Sequence, residues 1–198
     1  FAAAARSGRL PHGWLLAGPR GIGKATLAYA LARRVLAGLA GADGAAAVDD
    51  PASALFRRVA HGSEADLFVL ERTPHPRTGK LRREITVDQV RDMGRGLRET
   101  PMGRGGRAVL VDAADELNAE AANAFLKLLE EPPDGVVLFL VAHAPGRLPR
   151  TLLSRCVRLN LAPLEAAQLA EAASSAGLEP LPDAALQSLA RGSPGRLA

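Results

Sequence analysis

Apolar residues along this chain fall into two kinds of run, and their alternation predicts the fold class. Short continuous runs occur at His12–Ala17 (HGWLLA), Asp66–Leu70 (DLFVL), Ala108–Asp112 (AVLVD) and Gly135–Ala142 (GVVLFLVA). Runs of that length, closed by turn residues, read as strands buried on both faces of a parallel sheet. Between them the apolar positions recur every three or four residues, which is the period of a helix with one buried face. The pattern predicts helices at Leu27–Leu36, at Val87–Glu99 (Val90, Met93 or Gly94, Leu97) and from Asn118 to Glu131 (Ala122, Phe125, Leu126, Leu129). Shorter helices are expected at Phe1–Arg6 and Ala52–Val59, a strand at Cys156–Leu161, and two closing helices at Leu164–Ala176 and Pro182–Ala190. Strand and helix alternate in the order that builds an α/β, doubly wound, mostly parallel sheet with a small helical lid appended. The division falls near residue 161, giving a core at 1–161 and a lid at 162–198.

Local signals sharpen the boundaries. Thr86 and Gln89 have the spacing of a capping box, Asn118 is a good N-cap, and Pro132–Pro133 stops the helix before it. Residues Ala37–Pro51, rich in Gly, Ala and Asp, read as a loop, and Arg72–Arg83 (RTPHPRTGKLRR) reads as an exposed basic loop.

Composition changes this picture only a little. A chain of 198 residues holds one core and a small second domain, and a net charge of +4 hints at an anionic partner, nucleic acid or nucleotide. The single cysteine, Cys156, excludes an internal disulfide and a multi-cysteine zinc site, which points to a reducing, cytoplasmic setting. No apolar run approaches the roughly 20 residues that cross a bilayer. His61 and His75 have no companions at ligand spacing and read as solvated. A start inside a helix and an end just past Gly192–Arg196 suggest a piece of a longer protein.

The most specific chemistry lies at Gly18–Thr26 (GPRGIGKAT). Such a loop between strand and helix curls its backbone N–H groups around phosphates, a lysine reaches the β and γ oxygens, and a following hydroxyl holds Mg²⁺. Gly18, Gly21, Gly23 and Lys24 supply the cradle and the cation, but Ala25 stands where the hydroxyl belongs. Thr26 is one residue late, turned about 100° around the helix. Asp112 ends a buried strand as the acid of a Walker B segment does, yet Ala113 follows where a water-polarising Glu would stand. Asp115 and Glu116 come too late to replace it by register. Arg91, Arg95 and Arg98 form a stripe at helical spacing, either a solvated face or one that meets phosphates.

Taken together, Gly18–Thr26, Val109–Leu117, Asn123–Pro133 (NAFLKLLEEPP) and Leu153–Cys156 (LSRC) resemble the bacterial clamp-loader AAA+ subunits of DNA polymerase III, over nearly the whole chain. With its catalytic positions degraded, the chain looks more like the delta-prime branch of that family than the gamma/tau motor branch. The resemblance implies a P-loop NTPase (AAA+) core and a lid, and it assigns Arg155 as an arginine finger acting in trans on a neighbouring subunit's nucleotide. It assigns Gly18, Gly21, Gly23, Lys24, Ala25, Thr26 and Asp112 to the nucleotide site, and Arg91, Arg95 and Arg98 to the wall that faces nucleic acid.

The departures accumulate. Ala142–His143 stand in place of a polar sensor, and Gly192–Gly195 place Gly where an active relative has Arg, with Arg196 adjacent. The cysteines of the family's zinc module are missing, so no zinc is expected, and the collar domain of longer relatives lies outside the sequence.

The implied role is a non-motor subunit that helps load the sliding clamp onto primed DNA, alongside gamma/tau and delta subunits, as part of the DNA-directed DNA polymerase III holoenzyme. ATP or ADP is the only cofactor implied, with Mg²⁺ in doubt. Two other readings stay open: an active ATPase subunit using Lys24 and Asp112 with Thr26 or Glu116 rearranged, and a structural module that holds nucleotide without hydrolysing it.

Overall fold

The structure, a computed structural model, describes residues 1–165 apart from 8, 39–44 and 104, together with residue 168. The predicted lid helices, the Gly192–Gly195 segment and Arg196 lie outside the described residues. The elements in chain order are α1 (Ala2–Arg6), β1 (Gly13–Ala17), α2 (Lys24–Leu36), α3 (Ala45–Asp49), α4 (Ala54–Ala60), β2 (Leu67–Leu70), α5 (Val87–Gly96), β3 (Arg107–Asp112), α6 (Ala119–Glu130), β4 (Val136–Ala142), α7 (Arg150–Leu153) and β5 (Val157–Asn160). All five strands pair in parallel in the order β2-β3-β4-β1-β5.

Because strand side chains alternate, each strand feeds both faces of the sheet. Trp14 and Leu16 of β1 join Leu110 and Phe139 beneath Ala28, Leu31 and Val35 of α2. Leu15 joins Val109, Val111, Leu138 and Leu140 on the opposite face, beneath Val90 and Met93 of α5 and Leu97 just after it, Phe125 and Leu129 of α6, and Leu152 of α7. The register sets Trp14 beside Phe139 and Phe139 beside Leu110, so the large side chains of the α2 face stack in one row. Burial on both faces explains why β4 is apolar at every position rather than alternating.

Three expectations need correction. α2 begins at Lys24 rather than Leu27, because Gly23, at φ 88°, turns the chain into the helix directly from the phosphate loop. α5 ends at Gly96 rather than Glu99. Its last residues tighten into i→i+3 bonds, Arg98 N to Arg95 O at 3.0 Å and Glu99 N to Gly96 O at 3.1 Å. Gly94 and Gly96 make that stretch a poor helix, and a Cβ at Gly96 would come within 2.7 Å of the Phe68 ring.

The segment read as a loop from Ala37 to Pro51 contains α3. A buried Arg33 holds it, donating to Val48 O at 3.0 Å and pairing with Asp49, while its guanidinium lies 4.6 Å from the Phe56 ring centre of α4. The basic loop 72–83 is exposed but ordered as a hairpin, with an antiparallel bridge between Pro74 and Leu81 and bonds from His75 N to Lys80 O and from Arg82 N to Thr73 O. Its exit is anchored by the fully buried Ile85, which donates to Glu116 O at 2.8 Å and accepts from Asn118 N at 3.1 Å.

Candidate nucleotide site and exposed arginine

The carboxyl ends of β1, β3 and β4 lie side by side, and the segments at those ends line a cavity of about 1140 Å³, with Gly21, Gly23 and Lys24 after β1, Asp112 of β3 and His143 after β4. At the end of β1, Gly18 N donates to Ala142 O at 3.2 Å, and Leu161 N donates to Ala17 O at 2.8 Å. A Cβ on Gly18 would lie 2.4 Å from Leu161 O, so only glycine fits where the end of β1 meets the residue after β5. Gly21 and Gly23 both have positive φ, 79° and 88°. The first turn of α2 has no side-chain cap and no acidic residue, which leaves its N–H groups and dipole to an anion.

Lys24 is 3% exposed and donates to Pro19 O at 2.5 Å. Burial lowers its pKa, against the opposing pull of Asp112 and Asp115. A phosphate arriving here would replace a carbonyl as its partner. The cradle therefore fits a polyphosphate. It does not fit a metal as well: Ala25 lines the cavity with a methyl group, Thr26 is exposed at its rim, and Asp112 is the acid at the strand end. Burial raises the pKa of Asp112, with Glu116 adding to the rise and His143, Lys24 and Arg20 opposing it.

Behind the P-loop stands a cluster that sequence reading did not assemble. His143 lines the cavity, its pKa lowered by burial and then by Lys24 and Arg20, and its buried Nδ1 has no partner among the described residues. Asp115 accepts from His143 N at 2.8 Å and Ala144 N at 3.2 Å, stitching the end of β4 to the turn after β3. Its side chain is thus spent on backbone. Glu116 pairs with Arg20 at 3.0 Å and Arg72 at 2.8 Å, so it does not stand free to serve as a water-polarising base. Arg20 was visible inside the motif, but nothing in the sequence announces Arg72, because the contact spans 44 residues of chain.

Ala113, the residue after the Walker-B-like Asp112, is 2% exposed and offers no polar atom beyond its backbone.

Arg155 lies at the other end of β1. A Cβ on Gly13, the first residue of that strand, would be 3.1 Å from Arg155 O. From Gly13 to Gly18 the strand advances about 16 Å at ~3.3 Å per residue. The Arg155 side chain donates to Thr151 O at 2.8 Å and pairs with Glu130 at 2.7 Å, with both side chains about two-fifths exposed (37% and 43%). The neighbouring Cys156 is packed against the core, and burial pushes its thiol up to about 11.

Arg91, Arg95 and Arg98 are exposed along α5 and border a groove of about 990 Å³ between α5 and α6, together with Lys127. Arg91 lies 3.7 Å from Asp88, and Arg95 bonds Asp92, both within the helix. Nothing brings this stripe to the P-loop cavity, so the predicted residues form three separate places: cavity, Arg155 turn and α5 stripe.

Among the described residues no helix is long and apolar enough to cross a membrane. Residues 1–165 match the family described as DNA polymerase III, delta subunit. The chain is 40% identical over 147 residues to the DNA polymerase III subunit delta' of Pseudomonas aeruginosa, covering 74% of this chain and 42% of that protein. It is 30% identical over 162 residues to the subunit tau of Escherichia coli, covering 82% of this chain and 23% of that one. The chain thus spans less than half the length of these curated relatives. In fold it resembles the RuvB Holliday junction branch migration motor of Thermotoga maritima, with a TM-score of 0.55 at 21% identity over 98% of this chain and 54% of that one. The sequence likeness to subunit delta', the matched family and the parallel five-stranded sheet agree, and the chain belongs to the DNA polymerase III delta-prime family of clamp-loader subunits.

Proposed function

We propose that this chain is the AAA+ module of a non-motor clamp-loader subunit, one that completes a neighbour's nucleotide site instead of turning over nucleotide in its own. The observation that carries this reading is the placement of the cavity and Arg155 at opposite ends of β1. A guanidinium reaches only about 7 Å from its Cα, well short of a strand of ~16 Å, so Arg155 serves a phosphate on another subunit. There its charge would meet the negative charge that develops on the transferred phosphoryl group.

In its own cavity the chain's residues bind but do not activate. Gly18, Gly21, Gly23 and the first turn of α2 hold the phosphates, Lys24 neutralises them, and Asp112 closes the far wall. Bound ATP or ADP would fill the cavity without being turned over, with no metal ligand at Ala25 and no base at Ala113. The exposed arginines of α5 supply a sequence-independent phosphate contact to primed DNA. The partners in this reading are gamma/tau and delta subunits, and through them the sliding clamp.

The test is DNA-stimulated ATP hydrolysis by the full-length protein reconstituted with its ring partners. Arg155→Ala should cut the rate strongly and Lys24→Ala only slightly. The reverse pattern would mean that this chain's own pocket turns over ATP.

A further inference from the structure

We propose that Arg20 and Arg72 are phosphate-binding residues at the mouth of the P-loop cavity, and that the Glu116 carboxylate competes with a bound nucleotide's phosphates for them. This rests on the reading that the cavity takes a nucleotide, and adds what regulates its affinity.

Arg20 belongs to the phosphate loop and Arg72 to the root of the hairpin that follows β2. They meet only through Glu116, whose Oε1 lies 3.0 Å from Arg20 and whose Oε2 lies 2.8 Å from Arg72. All three residues line the same cavity as Lys24. The carboxylate is the most sheltered member, 16% exposed, against 34% for Arg72 and 68% for Arg20. Two guanidinium groups on one carboxylate leave that trio with a net positive charge, on the side chain best shaped to grip phosphate oxygens in pairs.

Glu116 is placed there from two directions. Its backbone carbonyl accepts from Ile85 at the exit of the hairpin, and its side chain holds Arg72 at the entrance. The hairpin is thereby tied at both ends to the residue that fills the anion position, and Leu81 of the hairpin reaches the cavity lining. An anion entering beside Lys24 meets the repulsion of Glu116 until the carboxylate yields its arginines. The intrinsic affinity of the glycine cradle is consequently held down by a residue of the same chain. The opposing Asp115 does not share this part, because its two oxygens are taken by the amides of His143 and Ala144.

The experiment is equilibrium binding of fluorescent ADP and ATP analogues, and of inorganic tripolyphosphate by competition, to the full-length protein in EDTA. Glu116→Gln should tighten binding about fivefold, and Arg72→Ala should weaken it about tenfold, the scale of a charge-assisted contact. Glu71→Gln, which removes one charge from the same lining without releasing an arginine, should change affinity less than twofold. Unchanged or weaker binding by a folded Glu116→Gln, with binding still abolished by Lys24→Ala, overturns the competition and leaves the nucleotide reading intact. An Arg72→Ala protein that binds as tightly as the parent overturns the proposal independently, should Glu116→Gln fail to fold. If neither the parent nor Glu116→Gln binds any of the three probes, the nucleotide reading itself falls, and this proposal with it.

Discussion

The two ends of β1 carry arginines held by glutamates, and the settings differ in a way that bears on the two roles proposed for them. At the carboxyl end, Glu116 is sheltered and shared by Arg20 and Arg72, so one carboxylate offsets only part of the charge of two arginines that line the chain's own cavity. At the amino end, Arg155 pairs with one carboxylate among the described residues, Glu130, and both side chains stay about two-fifths exposed. An exposed pair of this kind is worth little to stability and separates easily, since water and salt screen it. The comparison teaches that one end gathers two arginines on a sheltered carboxylate beside the chain's own cavity, while the other holds its arginine on an exposed one.

The largest expected effect breaks the comparison at its functional root. In the reconstituted loader, Arg155→Ala should lower DNA-stimulated ATP hydrolysis by roughly 10³, the range for a missing finger, while Lys24→Ala should stay within about twofold. Equal losses would erase the distinction between the two ends.

Beside Arg155, the Cys156 thiol raised to about 11 should alkylate on the order of a hundredfold more slowly in the native protein than in urea at pH 8, since the thiolate is the reacting form. Native labelling at the unfolded rate would show that the Arg155 turn opens readily.

The strand ends differ in steric tolerance too. Gly18→Ala pushes a Cβ against the Leu161 carbonyl and should cost about 2–3 kcal/mol in denaturant unfolding. Gly146→Ala, with open space around the position, should change stability by less than about 0.5 kcal/mol. A similar cost for both would mean that the end of β1 relaxes freely.

The two glutamates should separate on a smaller scale. Glu116→Gln is expected to cost about 1 kcal/mol, because a sheltered carboxylate holds two arginines, although exposed Arg20 contributes little of it. Glu130→Gln should cost under 0.5 kcal/mol and leave ATP hydrolysis by the loader undiminished. Thermal melts at two salt concentrations would compare them.

The smallest effect concerns pH. The pKa of His143 is lowered on folding, so the unfolded chain takes up its proton first as pH falls below about 6.5, and the native state loses stability from there downward through the lowered folded value. His143→Gln should remove that part of the acid loss, seen as a flatter dependence of unfolding free energy on pH. A parallel pair of curves would show that the ring is freely hydrated.

The amino-acid sequence by itself determined the parallel sheet and the glycine-rich turn between β1 and α2, and it singled out the residues proposed for three candidate sites. Buried strands require apolar runs and helices require period, and both are local signals that survive without neighbours. The capping box at Thr86 and Gln89 and the N-cap at Asn118 worked for the same reason, since each bond spans only three residues.

Tertiary structure decided the rest. The apparent loop after α2 acquired a helix because Arg33 and Arg34 reach Asp49, and the basic segment became a tethered hairpin because Glu116 and Ile85 lie across it. Only the folded sheet set Arg155 a strand's length from the cavity. Ion pairs and strand ends depend on which distant residues are brought together, and that is a property of packing that no local pattern records.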